Sequence, residues 1–331
     1  MTGMLLSQGF AANYGDRLAA AARQAGLQTD IVHLPDDPRG RLSAADCERI
    51  GIAYLTRDIR FSEHYHGFGA AVAAARNLKW VHFVSTGIDQ HPFLPALIER
   101  GVRLTTSAGT NGEPVAQTAI CGLLMLARGF PRWIDAQRRR AWEPMRGSAV
   151  PRDLRGQTVS VIGLGTIGAT VARFCQALGM HVIGVRRRPM QSGDPVDEMH
   201  TLAALPEVLP RCDWLVLACP LTAATRHLVN AGTLALLPKG AHIINVARGG
   251  VADQQALTDA LQSGHLGGAY LDVFEKEPLP SDSPLWDLPN VLVTPHNASA
   301  SAGNEHRAAE VFLTNLARWA RGETLLNERS A

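Results

Sequence analysis

The stretch TVSVIGLGTIGATVARFCQALG, residues 158–179, decides the fold. TVSVI is rich in β-branched residues, the second half carries apolar residues at helical spacing, and Gly163, Gly165 and Gly168 stand in G-x-G-x-x-G order where the period changes. Each glycine has its own task in such a turn. Gly163 permits the tight reversal, Gly165 lets a pyrophosphate approach the backbone, and Gly168 allows the helix to pack closely on the strand. Thr166 and Ile167 open that helix, whose first N–H groups lack partners and whose positive dipole end attracts phosphate. The motif alone is weak, because an ordinary glycine-rich turn has the same letters. Between a strand and a helix it predicts a dinucleotide-binding βαβ unit.

The next strand, HVIGV (181–185), runs into Arg186, Arg187 and Arg188. A site for NAD usually places an acidic residue at this strand end to bind the ribose 2′-hydroxyl. Guanidinium groups there instead suit a 2′-phosphate, which they bind through paired, charge-assisted hydrogen bonds. NADP(H) is therefore the favoured cofactor and NAD(H) the alternative. Arg188 reads equally well as part of a solvated loop, so the assignment rests on Arg186 and Arg187.

Outward from this unit the chain alternates in the same way. DWLVLAC, AHIINVA, GGAYLDV and NVLVTP follow as strands separated by crossover lengths, and MLLS, DIVHL, GIAYL, WVHFV and VRLTT precede it, interleaved with alanine-rich helical stretches. EPVAQTAICGLLMLAR (113–128) reads as one long, largely buried helix, and EHRAAEVFLTNLARWARG near the end as an amphipathic helix returning to the first lobe. With 331 residues, 46% of them hydrophobic, about two domains are expected. A net charge of +2 argues against a basic surface for nucleic acid or membrane. Cys47, Cys121, Cys175, Cys212 and Cys219 include no C-x-x-C pair and read as free buried thiols, which suits a reducing cytoplasm. No export leader or spanning segment is expected, nor a metal centre: His64 and His66 stand in H-x-H spacing without a clear third ligand.

Ligands of open parallel sheets bind outside the carboxyl edge. Reading past each strand yields Pro220 and Thr222 after DWLVLAC, Arg248 after HIINVA, Asp272 and Glu277 at and after GGAYLD, and His296 after NVLVT. Taken singly, Arg248 reads as a surface arginine, Glu277 as an exposed acid and His296 as a loop histidine. Together, behind a dinucleotide fold, they form a working set for carbonyl reduction.

NVARGGVADQQAL, GGAYLDVFEKEPLP, NVLVTPHNA and, upstream, LKWVHFVSTGID resemble the D-isomer-specific 2-hydroxyacid dehydrogenase family over nearly the whole chain. The resemblance implies that Arg248 is the substrate arginine, Glu277 the acid paired with the catalytic histidine, and His296 the proton donor. It also implies that Asp272 lies near the nicotinamide carboxamide, and that backbone amides around Thr86 and Gly87 hold the substrate carboxylate. The chain departs from the family pattern at Thr106, where asparagine is common, and at Gln117 and Thr118, where an acid and a histidine or aromatic residue are usual; this bears on the subfamily more than on the reaction. The Glu277 and His296 pairing argues against a formate dehydrogenase of the same fold. The end at Ala331 makes a phosphoglycerate dehydrogenase less attractive.

The architecture expected is α/β, with two Rossmann-like or flavodoxin-like lobes. Each is a parallel sheet flanked by helices, and a cleft lies between them. Residues 1–103, completed by 303–331, form the substrate lobe, and 104–302 the dinucleotide-binding domain. The leading function is an NADPH-preferring reductase of small 2-oxo acids, glyoxylate and hydroxypyruvate, acting as a cytoplasmic homodimer with no nucleic-acid or membrane partner. The alternatives are an NAD-dependent enzyme for bulkier substrates and a nucleotide-sensing regulator or corepressor on the same fold.

Overall fold

The structure is a computed structural model describing residues 2–88 and 90–329, apart from the side chain of Ser148. Met1, Ser330, Ala331 and Asp89, the last letter of LKWVHFVSTGID, lie outside the described residues. The chain forms two compact units, residues 1–110 with 302–331, and residues 111–301.

In the first unit, strands β1 (Thr2–Leu5), β2 (Thr29–Val32), β3 (Ile50–Leu55), β4 (Trp80–Phe83) and β5 (Arg103–Thr106) pair in parallel in the order β2-β1-β3-β4-β5. This is the flavodoxin-like order, whose direction of winding reverses between β1 and β3. β3 and β4 are buried along their whole length, as central strands of a covered parallel sheet must be. The terminal helix Asn304–Ala320 packs on one face through Phe312, whose ring stacks 4.7 Å from Tyr54 and 5.3 Å from Trp80. Buried His82 on β4 lies within hydrogen-bonding distance of Thr105 Oγ1 at 2.7 Å and Ser107 Oγ at 3.1 Å, so its polar atoms are satisfied. The unit boundary after Thr110 keeps β5 in the sheet where it pairs.

The second unit holds β6 (Thr158–Ile162), β7 (His181–Val185), β8 (Glu198–His200), β9 (Trp214–Leu217), β10 (Ala241–Asn245), β11 (Leu266–Leu271) and β12 (Val291–Val293). All pairs are parallel, in the order β12-β11-β10-β9-β6-β7-β8, so the winding reverses between β6 and β9. This is the Rossmann order with one further strand. β8 is a three-residue edge strand with the sequence EMH, too short and too polar to be read from pattern. The long helix spans Gly112–Ala127 and presses on β11, where a Cβ at Gly122 would stand 2.4 Å from the Tyr270 ring.

Four cysteines are buried and unpaired, but Cys121 is exposed, contrary to the expectation that all five are buried. It lies on the outer side of a helix whose other face carries the packing residues Ala116, Ala119 and Leu123. Among the described residues no helix is long and apolar enough to cross a membrane.

Candidate active site

The loop after β6 shows why its glycines differ. Gly163 has φ +95°, and a Cβ there would lie 2.7 Å from Ala218 O and from Cys219 at the end of β9. At Gly168 a Cβ would lie 1.8 Å from Gly163 O, so the helix Thr166–Ala177 could not approach the strand as it does. At Gly165 a Cβ would meet no protein atom within 4 Å. The first two glycines thus serve the fold. The third faces open space at a helix N-terminus, where Thr166 and Ile167 present the leading N–H groups, and this fits a dinucleotide's pyrophosphate.

At the end of β7 the three arginines part company. Arg186 forms a two-pronged ion pair with Asp194, NH1 reaching Oδ1 at 2.9 Å and NH2 reaching Oδ2 more closely. It also donates to the carbonyls of Arg188 at 3.1 Å and Pro189 at 2.8 Å. Its side chain is 17% exposed and that of Asp194 14%. The backbone N–H of Gln191 and this guanidinium together hold the Asp194 carboxyl below its usual range. Arg186 therefore organises its own loop, while Arg187 and Arg188 are exposed and make no side-chain ion pair or hydrogen bond among the described residues. Asp194 was invisible to motif reading, since its pairing depends on how a Gly- and Pro-containing loop closes.

Past β9, Pro220 and Thr222 lie in a turn stitched by buried Thr225. Its Oγ1 accepts from the Thr222 N–H at 2.8 Å and donates to Pro220 O at 2.7 Å. Past β10, Arg248 is exposed and its NH1 donates to Ala247 O at 2.7 Å. The next residue, Gly249, touches the backbone of Phe274, with a Cβ there falling 1.9 Å from its carbonyl carbon. The arginine's loop is in this way seated on the loop that bears Glu277. Asn245 ties the same turn, accepting from the Ala247 N–H at 3.1 Å.

Glu277 and His296 meet. Glu277 Oε2 is 2.7 Å from His296 Nδ1, and Oε1 accepts from the Phe274 N–H at 3.0 Å. His296 sits at φ +50°, a conformation that costs a non-glycine residue about 1–3 kcal/mol and persists only when its surroundings impose it. The surroundings are Asp272, 3% exposed at the end of β11. Its Oδ1 accepts from Thr294 Oγ1 at 2.6 Å, Asn297 N at 2.8 Å and Ala298 N at 3.1 Å, and its backbone carbonyl accepts from the His296 N–H at 2.8 Å. The Asp272 carboxylate is thus turned onto the loop that carries the histidine. Tyr270 extends the chain through Thr294 Oγ1 at 2.7 Å, its hydroxyl pKa pushed up to about 12 by burial. Thr118, a departure from the family pattern, also meets this loop, with Oγ1 3.0 Å from Ala298 O. An imidazole held by Nδ1 in this manner offers Nε2 for proton transfer.

In the first unit, Thr86 is exposed after β4, and Gly87 O accepts from Ser85 Oγ at 3.0 Å. The N–H groups of Thr86 and Gly87 have no partner among the described residues. His64 Nε2 lies 3.3 Å from Asp36 O, whereas His66 lines a cavity. Among the described residues no group of three or more His, Cys, Asp or Glu side chains could hold a metal ion.

A Rossmann sheet whose carboxyl edge carries an open glycine turn, an arginine and a carboxylate-held histidine defines a class, the nicotinamide-dependent dehydrogenases. Comparison with known proteins makes it particular. The family model described as D-isomer specific 2-hydroxyacid dehydrogenase, NAD binding domain, matches residues 120–298. A glyoxylate reductase of Korarchaeum cryptofilum is 35% identical over 260 residues, 76% of this chain and 75% of that one. A D-3-phosphoglycerate dehydrogenase of Methanocaldococcus jannaschii is 33% identical over 77% of this chain, but the match spans only 48% of its own length. Among solved structures, a D-isomer specific 2-hydroxyacid dehydrogenase from Xanthobacter autotrophicus, in complex with NADPH and MES, superposes with a TM-score of 0.74 at 35% identity, covering 99% of this chain and 98% of that one. The chain belongs to the D-isomer specific 2-hydroxyacid dehydrogenase family, and is an oxidoreductase with a nicotinamide cofactor.

Proposed function

We propose that the chain is an NADPH-preferring reductase that converts small 2-oxo acids, glyoxylate and hydroxypyruvate, into D-2-hydroxy acids. The observation that carries this reading is the 2.7 Å contact of Glu277 Oε2 with His296 Nδ1. Glu277 orients the ring through Nδ1, and His296 Nε2 donates a proton to the carbonyl oxygen as the substrate is reduced. Arg248, always charged, orients the 2-oxo acid and stabilises negative charge growing on that oxygen. The N–H groups of Thr86 and Gly87 serve a carboxylate. What a bound nicotinamide supplies is a hydride to the carbonyl carbon.

Three features support the cofactor and substrate preferences. The end of β7 bears arginine where NAD sites carry an acid, and Arg187 and Arg188 are the exposed guanidiniums there. The Xanthobacter structure holds NADPH. Glyoxylate reductases stand among the relatives at 34–35% identity. The test is loss of reduced-nicotinamide absorbance with purified protein, comparing NADPH and NADH against glyoxylate, hydroxypyruvate, pyruvate and phenylpyruvate. Fast NADPH oxidation with glyoxylate or hydroxypyruvate is expected. Faster turnover with NADH, or with phenylpyruvate, would favour the NAD-dependent enzyme for bulkier acids, and tight nucleotide binding without turnover the sensor.

A further inference from the structure

The first unit carries an open cavity of about 780 Å³, in the size range of small-molecule sites. It is lined by residues 38–41 and by most of 60–67, two segments downstream of the carboxyl ends of β2 and β3. That is the edge at which open parallel sheets take ligands.

The charges in its wall are unbalanced. Arg39, Arg41 and Arg60 line it, against one carboxylate, Glu63. None of these four side chains makes an ion pair or hydrogen bond with another side chain among the described residues. The nearby acids are engaged elsewhere. Asp36 accepts from Gln8 Nε2 at 2.7 Å, and Asp37 from the Arg39 backbone N–H at 3.0 Å. Elsewhere in this unit Arg49 pairs with Asp30 and Asp46, and Arg103 with Glu328, whereas Arg23, Arg57 and Arg76 have no acidic partner among the described residues. Arg60 is half-buried, and burial pulls its guanidinium pKa downward. A desolvated cation without a counter-charge is costly, and an anion brought into the cavity would relieve that cost.

The remaining wall suits an organic anion. Arg60 lies over the Phe61 ring, 5.2 Å from its centre, which gives the cavity an apolar side. Tyr65 also lines it, and its hydroxyl is 2.6 Å from Nδ1 of His91. His91 is buried, ring-stacked against Phe83 and Phe93, with Nε2 unpartnered, and burial aided by the Arg60 charge pushes its pKa down to about 4. The tautomer protonated on Nδ1 leaves Nε2 as a bare lone pair rather than an unmet donor, and frees the Tyr65 O–H to donate into the cavity.

We propose that this cavity is a binding site for a small organic oxyanion carrying two or more negative charges, a phosphate ester or a polycarboxylate, held by Arg39, Arg41, Arg60 and the Tyr65 hydroxyl. The shared chemistry is the planar guanidinium fork on paired oxygens. The site stands independently of the reaction proposed above.

The test is calorimetric titration of the full chain, saturated with NADPH so that the nucleotide site is filled, using citrate and inorganic pyrophosphate as probes. One-to-one binding of at least one probe is expected, and the tighter of the two identifies the source, polycarboxylate or phosphate. Arg60→Ala should weaken it about tenfold or more, as loss of a charge-assisted hydrogen bond does. The double variant Arg39→Ala/Arg41→Ala, at exposed positions that leave the core alone, should do the same if Arg60→Ala misfolds. Hydrogen exchange should slow at 38–41 and 60–67. No binding of either probe at millimolar concentration, affinity unchanged in both variants, or protection confined to other segments would overturn the proposal.

Discussion

Glu277 Oε2 lies 2.7 Å from His296 Nδ1, while Glu277 Oε1 is held at 3.0 Å by the Phe274 N–H, so the acid is fixed at one end and fixes the histidine at the other. His296→Ala should lower the rate of 2-oxo acid reduction by about 10²–10⁴. Nucleotide affinity should stay within about twofold, since the G-x-G-x-x-G turn is untouched. Glu277→Gln keeps an acceptor for Nδ1 but no charge, and should lower the rate by about tenfold or more. Steady-state kinetics with a nucleotide titration check both, and an unimpaired His296→Ala enzyme would remove the proton-donor role.

Asp272 invites a stability measurement. Asp272→Ala removes the acceptor of the Thr294 hydroxyl and of the Asn297 and Ala298 N–H groups, and at buried Ala298 an N–H left unsatisfied costs about 1–3 kcal/mol. Urea denaturation should show a loss of at least that size, together with reduced turnover because the His296 backbone at φ +50° loses its support. Wild-type stability in this variant would show that the carboxylate does not organise the turn.

The arginines separate by their surroundings. Arg187→Ala, at an exposed side chain, should raise the KM for NADPH about tenfold and leave that for NADH nearly unchanged, since it removes a charge-assisted contact to a 2′-phosphate alone. Arg186→Ala leaves half-buried Asp194 without its guanidinium partner and should disturb both nucleotides and lower the melting temperature. If Arg186→Asp and Arg187→Ala both preserve the NADPH to NADH ratio of kcat/KM, the 2′-phosphate assignment fails.

The three glycines should fail differently. Gly168→Ala places a Cβ 1.8 Å from Gly163 O and should yield little folded protein, whereas Gly165→Ala meets no protein atom and should melt like the wild type. Nucleotide binding should still weaken in Gly165→Ala, because the methyl group enters the space a pyrophosphate needs. Equal nucleotide affinity in Gly165→Ala and the wild type would count against that path for the pyrophosphate.

Buried His82 and half-buried His242, together with buried His91, predict an acid-labile fold. Burial pushes the pKa of His82 down to about 3 and that of His242, stacked on Trp214, to about 4, from an ordinary 6.5. Between those values and 6.5 the unfolded chain binds protons that the folded one refuses. Stability is therefore full above about pH 6.5 and falls as the pH drops toward 4, by up to about 1.4 kcal/mol per pH unit for each histidine. Urea midpoints between pH 7 and pH 4.5 would read this slope, and His242→Gln should make it shallower.

The sequence by itself determined the α/β class, the eleven strands legible as apolar runs, and the reaction family, because these rest on local period and on short motifs whose order is unmistakable. β8 escaped because three residues at a sheet edge bury too little to leave a pattern. What tertiary structure alone decided are pairings between residues distant in the chain. Asp194 claims Arg186, the Asp272 carboxylate turns onto the loop of His296, Thr118 reaches Ala298, and Arg39 and Arg41 come to the same wall as Arg60. A charged or hydroxylated side chain carries no mark of its partner in the sequence. The partner is set by where the backbone brings two loops together, and only there does the energy of satisfying a buried charge or hydrogen bond choose between solvent, protein and ligand.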